Sequence, residues 1–108
     1  MTKDSLRIAG AQIAPVWLDR SATIDKVLAR LHEAADASVD LIAFGEALVP
    51  GYPFWIEHTD GARFNAPIQK ALHALYLDQA VSIESGHLDA VCAAAADRGI
   101  TVILVCIE

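Results

Sequence analysis

Positive charge is scarce in this sequence: 8 Lys and Arg face 14 Asp and Glu, and the formal net charge is −6. A protein that binds nucleic acid needs a basic stripe to displace counterions from phosphate, and no such stripe is present. The same shortage excludes a polybasic attachment to an anionic membrane surface. Long apolar runs are missing as well. The longest, Ile100 to Ile107, is interrupted by Thr101 and falls far short of the roughly 20 residues that a membrane helix needs. The N-terminal stretch Met1-Thr2-Lys3-Asp4-Ser5-Leu6-Arg7 lacks the apolar core of a secretion signal. Cysteine occurs only at Cys92 and Cys106, too few for a disulfide framework, so a reducing cytoplasmic setting is expected. No glycine-rich phosphate loop accompanies any apolar segment, which argues against a nucleotide site, and no cofactor is expected.

Apolar residues are what the sequence has in surplus. They fill 55% of the 108 positions, above the usual figure of about 45–50%. The length fits one domain with its own core. Alanine accounts for part of the surplus, and the rest reads as surface meant for a partner or for further chain.

Leu6 to Ala14 reads as a first strand, stopped by Pro15, which lacks a backbone donor. Asp19-Arg20-Ser21 offers N-cap chemistry, and from there Ile24, Val27, Leu28, Leu31 and Ala35 recur at i, i+3, i+4, i+7 and i+11. Asp25, Lys26, Arg30 and Glu33 fall largely on the other side, so the spacing predicts an amphipathic helix laid over one face of a sheet. Val39 to Phe44 reads as a second strand, and a strand–helix–strand unit of this spacing implies parallel pairing. Phe54 to about Arg63 is irregular. Asn65 is placed to cap a second helix with Pro67 in its first turn and Ile68, Leu72, Leu75 and Tyr76 inward. Ala80 to Ile83 reads as a short extended piece. Ser85 is placed to cap a third helix, with Leu88, Val91, Cys92 and Ala95 inward and Gly99 at its end. Ile100 to Ile107 reads as a third buried strand. The expected fold is α/β in the order β-α-β-loop-α-α-β, and an apolar strand left without cover reads as the mark of a fragment.

Chemistry concentrates at Leu41-Ile42-Ala43-Phe44-Gly45-Glu46-Ala47-Leu48-Val49-Pro50-Gly51-Tyr52-Pro53. A short apolar run ends in a lone carboxylate, and a stiff Pro-Gly-Tyr-Pro turn follows. An acid placed where a strand leaves the core can be held beside a cleft, and its surroundings can tune it as a general base. On the residues alone, Glu46 reads equally as a helix cap or as the partner of a buried Arg, because structural networks also perturb acids. Tyr52, Phe54 and Trp55 read either as pocket lining or as packing aromatics. His32, His58, His73 and His87 with Glu57 and Glu84 contain one helical ligand pair, Glu84-x-x-His87, but no second cluster, so no metal site is expected. Cys92 and Cys106 read as small core residues and Lys70 as a solvated one.

The stretch from Ser38 to Pro53 resembles the N-terminal signature of the nitrilase, or carbon–nitrogen hydrolase, superfamily: a small residue, a hydrophobic strand, Phe44, Glu46, a hydrophobic Val49, and Gly51-Tyr52-Pro53. Two positions depart from it. Ser38 stands where the family usually has Gly, and Gly45 replaces the commoner Pro before the acid. Ala11-Gln12-Ile13-Ala14-Pro15-Val16 resembles the family's opening strand and Gly99 to Val105 a later core strand, so the likeness covers nearly the whole chain. The resemblance implies part of an α-β-β-α sandwich over residues 6–108, truncated on its C-terminal side. It also implies a reaction in which a Cys thiolate attacks the carbon of a nitrile or amide, Glu46 acts as general base and a Lys stabilises the tetrahedral intermediate. The family's Lys and Cys motifs lie beyond Glu108. Tyr52 and Trp55 are the residues it allows to line the substrate pocket. The segment from Phe54 and the helix after it resemble the insertion of the true nitrilase branch, which makes subunit contacts in spiral assemblies. This implies a homo-oligomer in the full-length protein and a nitrile ahead of an amide. An amidase of the same superfamily, and a non-catalytic truncated subunit that only associates with intact homologues, are the alternative readings.

Overall fold

The structure, a computed structural model, describes residues 4–61 and 63–108. The elements run β1 (Ile8–Ala11), α1 (Arg20–Asp36), β2 (Leu41–Phe44), α2 (Trp55–His58), α3 (Pro67–Asp78), α4 (Asp89–Arg98) and β3 (Thr101–Ile103). The three strands form one parallel sheet in the order β1-β2-β3, with Ile8 opposite Leu41 and Leu41 opposite Thr101. The expected mixed α/β order is thus present, with a single extra helical turn, α2, inside the segment read as irregular.

Side chains alternate across a strand, so the register sorts the sheet into two faces. Ala9, Ala11, Ile42, Phe44, Val102 and Leu104 share one face and join a core cluster with Ile24, Val27, Leu31 and Ala34 of α1 and Val91 of α4. Ile8, Leu41, Ala43 and Ile103 share the other, which is open: Ile8 is 63% and Ile103 49% exposed. Helix α1 begins as the sequence suggests. Asp19 is extended, and its carboxylate accepts a hydrogen bond from the Ala22 N–H at 3.0 Å. The helix ends where Ser38 enters the left-handed region at φ +61°, a conformation glycine adopts without penalty. The Arg98 guanidinium ties α4 to α1 by donating to His32 Nδ1 at 3.0 Å and pairing with Asp36.

Several sequence expectations need correction. Strands β1 and β2 are shorter than Leu6–Ala14 and Val39–Phe44, and β3 stops at Ile103 because the chain beyond it meets the sheet only through a Val49–Cys106 bridge. Ala80 to Ile83 is not a strand, although the Val81 N–H donates to the Ile107 carbonyl. Asn65 does not cap α3; Ala66 holds that position without a side-chain bond. Ser85 does not cap α4, which begins later, at Asp89. Cys92 is exposed, because α4 turns Val91, Ala94 and Ala95 towards the core, and the next residue after Val91 points about 100° away from it. On α3 only Tyr76 is buried; Ile68 and Leu75 are exposed rather than inward. No helix among the described residues is long and apolar enough to cross a membrane.

Candidate active site

Glu46 lies two residues beyond β2, in a turn over 46–48, and is exposed. No helix begins at this turn, and among the described residues no hydrogen bond or ion pair engages its carboxylate. The two structural roles open to it in the sequence, helix cap and ion-pair partner, are therefore not taken up among those residues. What fixes Glu46 is its backbone. Phe44 is paired with Ala11 in the sheet, and the Leu48 N–H donates to the Val105 carbonyl at 3.1 Å. Only Gly45, Glu46 and Ala47 bridge these two fixed points, and Ala47 and Leu48 are themselves buried.

The segment after the turn is anchored residue by residue. The Val49 carbonyl accepts from the Ile107 N–H at 2.9 Å, and the Pro50 carbonyl accepts from the Leu18 N–H at 3.1 Å. The Gly51 carbonyl accepts from the buried Tyr76 hydroxyl at 2.7 Å, and the Tyr52 carbonyl accepts from the Trp17 indole N–H at 3.2 Å. Four consecutive carbonyls thus find donors on three separate parts of the chain. Val49–Pro50 is a cis peptide, and Gly51 stands at φ +134° with the Trp17 ring directly over it. Burial pushes the Tyr76 hydroxyl pKa up from its usual value, which keeps the donor protonated.

Aromatic rings line this anchor. Trp17 packs on Phe54 with ring centroids 4.4 Å apart and meets Trp55 edge-on at 5.5 Å, while Trp55 meets Tyr76 edge-on at 4.8 Å. Of the two residues read as candidate pocket lining, Tyr52 presents its side chain to solvent and Trp55 lies buried among Trp17 and Tyr76. Trp17 was not marked by the sequence. The only signal for it is a large aromatic inside a short Pro-Val-Trp-Leu-Asp loop.

The remaining titratable candidates do not gather at Glu46. Cys106 is half-buried, and its thiol pKa is pushed up by burial and then by the Glu108 charge, the opposite of what a reactive thiolate needs. Lys70 is exposed on α3. His87 Nδ1 accepts from the Ser82 N–H at 2.9 Å. Among the described residues no three His, Cys, Asp or Glu side chains come together as a metal would require.

The carbon-nitrogen hydrolase family profile matches residues 7–108. An arylacetonitrilase of Aspergillus niger is 40% identical over 99 residues, which is 92% of this chain and 27% of that protein. A nitrilase of Pseudomonas syringae pv. syringae is 36% identical over 102 residues, 94% of this chain and 29% of that protein. An arylacetonitrilase of Aspergillus oryzae is 33% identical over 99 residues, covering 92% and 28%. The chain therefore spans little more than a quarter of the length of these curated relatives. With the profile matching almost from end to end, the chain belongs to the carbon-nitrogen hydrolase family.

Proposed function

We propose that this chain is the N-terminal part of a nitrilase-type hydrolase, in which Glu46 is the general base. The whole enzyme converts a nitrile and two waters to a carboxylic acid and ammonia. The family match over residues 7–108 carries this reading, and the names of the relatives, nitrilase and arylacetonitrilase, favour a nitrile over an amide. In such a reaction a Cys thiolate adds to the nitrile carbon and a Lys stabilises charge at the tetrahedral stage. A first water adds to the resulting thioimidate, ammonia leaves to give a thioester, and a second water hydrolyses it to release the acid. Glu46 takes the proton from the attacking thiol or water, a role suited to an exposed carboxylate just beyond a strand that has no structural partner among the described residues. Tyr52 lines the substrate side of the turn, and Trp55 supports it from behind. The nucleophile and the Lys come from sequence beyond this chain, so 108 residues alone give no turnover.

Two surfaces support the larger assembly. The open sheet face around Ile8 and Ile103 suits a second sheet, as in an α-β-β-α sandwich. Phe64, 95% exposed, with Ile68 and Leu75 of α3, suits a contact between subunits of a homo-oligomer. The same open face favours a second reading, a truncated subunit that only associates with intact homologues.

The test is ammonia release from a panel of nitriles and matching amides by the full coding product. Nitrile turnover that Glu46→Gln abolishes is the expected result; faster amide turnover makes it an amidase. Co-expression of the short chain with an intact homologue, followed by size exclusion, checks the second reading, and absence of co-elution rules it out.

A further inference from the structure

Glu46 is displayed on a three-residue link whose far end is only as rigid as the segment 48–52, and that segment is secured largely from outside itself. The Pro15–Asp19 loop is the principal anchor. Thr23, fully buried in the first turns of α1, receives the Val16 N–H at 3.1 Å, and its hydroxyl has both the Val16 carbonyl at 2.9 Å and the Asp19 carbonyl at 2.8 Å within reach of its single proton. Asp19 N–H closes the loop on the Val16 carbonyl at 3.0 Å, and the Asp19 side chain caps α1. The loop is thus a rigid extension of the helix N-terminus. From it two donors reach across: Leu18 N–H to Pro50 and the Trp17 indole to Tyr52, while Tyr76 takes the carbonyl between them.

We propose that Trp17 and Tyr76 are positioning residues for Glu46, acting through the carbonyls of Tyr52 and Gly51. This rests on the reading of Glu46 as the base. Hydrogen bonds between the loop, the turn and α3 remove the freedom of the segment on the C-terminal side of the acid, as β2 pairing removes it on the N-terminal side. A base must meet its proton within a few tenths of an ångström, so loosening one end of a three-residue link moves the carboxylate without unfolding the core. Ordinary packing by the same rings makes a different prediction, because it depends on ring volume and not on the indole N–H or the phenol O–H.

The experiment compares Tyr76→Phe, which deletes the donor at constant ring size, and Trp17→Phe, which deletes the indole N–H together with one ring, with wild type in the 108-residue chain, and Tyr76→Phe separates bonding from packing. Backbone 15N relaxation reports order at Glu46 and Ala47, and hydrogen exchange reports the Leu48 and Leu18 amides. We expect order parameters at Glu46 to fall from about 0.85, typical of rigid backbone, towards 0.6 or below. Exchange at Leu48 should accelerate at least tenfold while the amides of Val27, Leu31 and Ile42 keep their wild-type rates. Unchanged order at Glu46 in both variants overturns the proposal. Equal acceleration everywhere also overturns it, since that is loss of stability and not of position. In the full coding product the same substitutions should lower kcat with little change in KM. Should Glu46→Gln retain activity there while Trp17→Phe still loosens residue 46, the base assignment fails and the positioning device stands. Loosening of residue 46 that leaves kcat intact in an enzyme dependent on Glu46 refutes positioning.

Discussion

Adding one methyl group at Gly51 probes the anchor behind Glu46 more sharply than removing a large side chain. An ideal Cβ at Gly51 falls 2.5 Å from Trp17 Cδ1, 2.8 Å from Trp17 Nε1 and 3.3 Å from Pro15 Cγ, with the backbone at φ +134°. A side chain in that region of conformational space costs on the order of 1–3 kcal/mol. Forcing a ring held by its own hydrogen bond to move costs about 1–3 kcal/mol more. The expected loss for Gly51→Ala is therefore about 2–6 kcal/mol, out of a total stability of order 5–15 kcal/mol for a domain. With a urea m-value of about 1–2 kcal/mol/M, the midpoint of a circular-dichroism unfolding curve falls by about 1 M or more. Gly45→Ala is the internal control: its Cβ meets nothing within 4 Å, so its effect stays within about 0.5 kcal/mol. In a Trp17→Ala background the steric part of the Gly51→Ala penalty disappears and the backbone part remains, giving a coupling of about 1–3 kcal/mol. Equal effects at Gly45 and Gly51, or no coupling with Trp17, refute the close approach on which the anchor depends.

Four further outcomes concern individual side chains. Ser38→Gly should raise stability by about 0.5–1 kcal/mol in the same urea assay, because it relieves the left-handed strain at φ +61° by more than it adds unfolded-state entropy. Thr23→Val leaves the Val16 N–H without its acceptor and should cost about 1–3 kcal/mol, whereas Thr23→Ser keeps the hydroxyl and recovers most of it. Thiol-reagent labelling at pH 7 should modify exposed Cys92 well before half-buried Cys106, followed by mass spectrometry of the two peptides. The folded-state pKa of Cys106 is raised above the ordinary 9.0, so the stability it contributes is complete below that value. As pH rises past 9.0 and through the folded pKa, that stability is lost, and Cys92→Ser leaves the loss in place.

The elements that could be read from the sequence are those whose signals are local and strong. Asp19 caps α1, the Ile24–Val27–Leu31 row faces the sheet, and the strand that delivers Glu46 is paired in parallel on both sides. The unreadable parts have weak or non-local signals. In α4 the run Ala93-Ala94-Ala95-Ala96 offers almost no amphipathic contrast, so its rotation is set by contact with α1 and not by its own pattern; Cys92 consequently falls outside. On α3, the row Ile68, Leu72 and Leu75 has the spacing of a core face yet is largely exposed, because periodicity identifies an apolar face without naming what covers it. The candidate acid was legible from the chain's own turn chemistry. Its supports were not: the Trp17 indole and the Tyr76 hydroxyl lie 35 and 25 residues from the carbonyls they serve, and no short-range pattern joins them.

The most direct test is ammonia release by the full coding product from a nitrile that the wild type turns over, measured for wild type and Glu46→Gln. Loss of a general base lowers kcat typically by about 100- to 10,000-fold, and that loss is predicted here with the fold intact by circular dichroism. A Glu46→Gln enzyme that releases ammonia within a few-fold of wild type would contradict the assignment of Glu46 as the base.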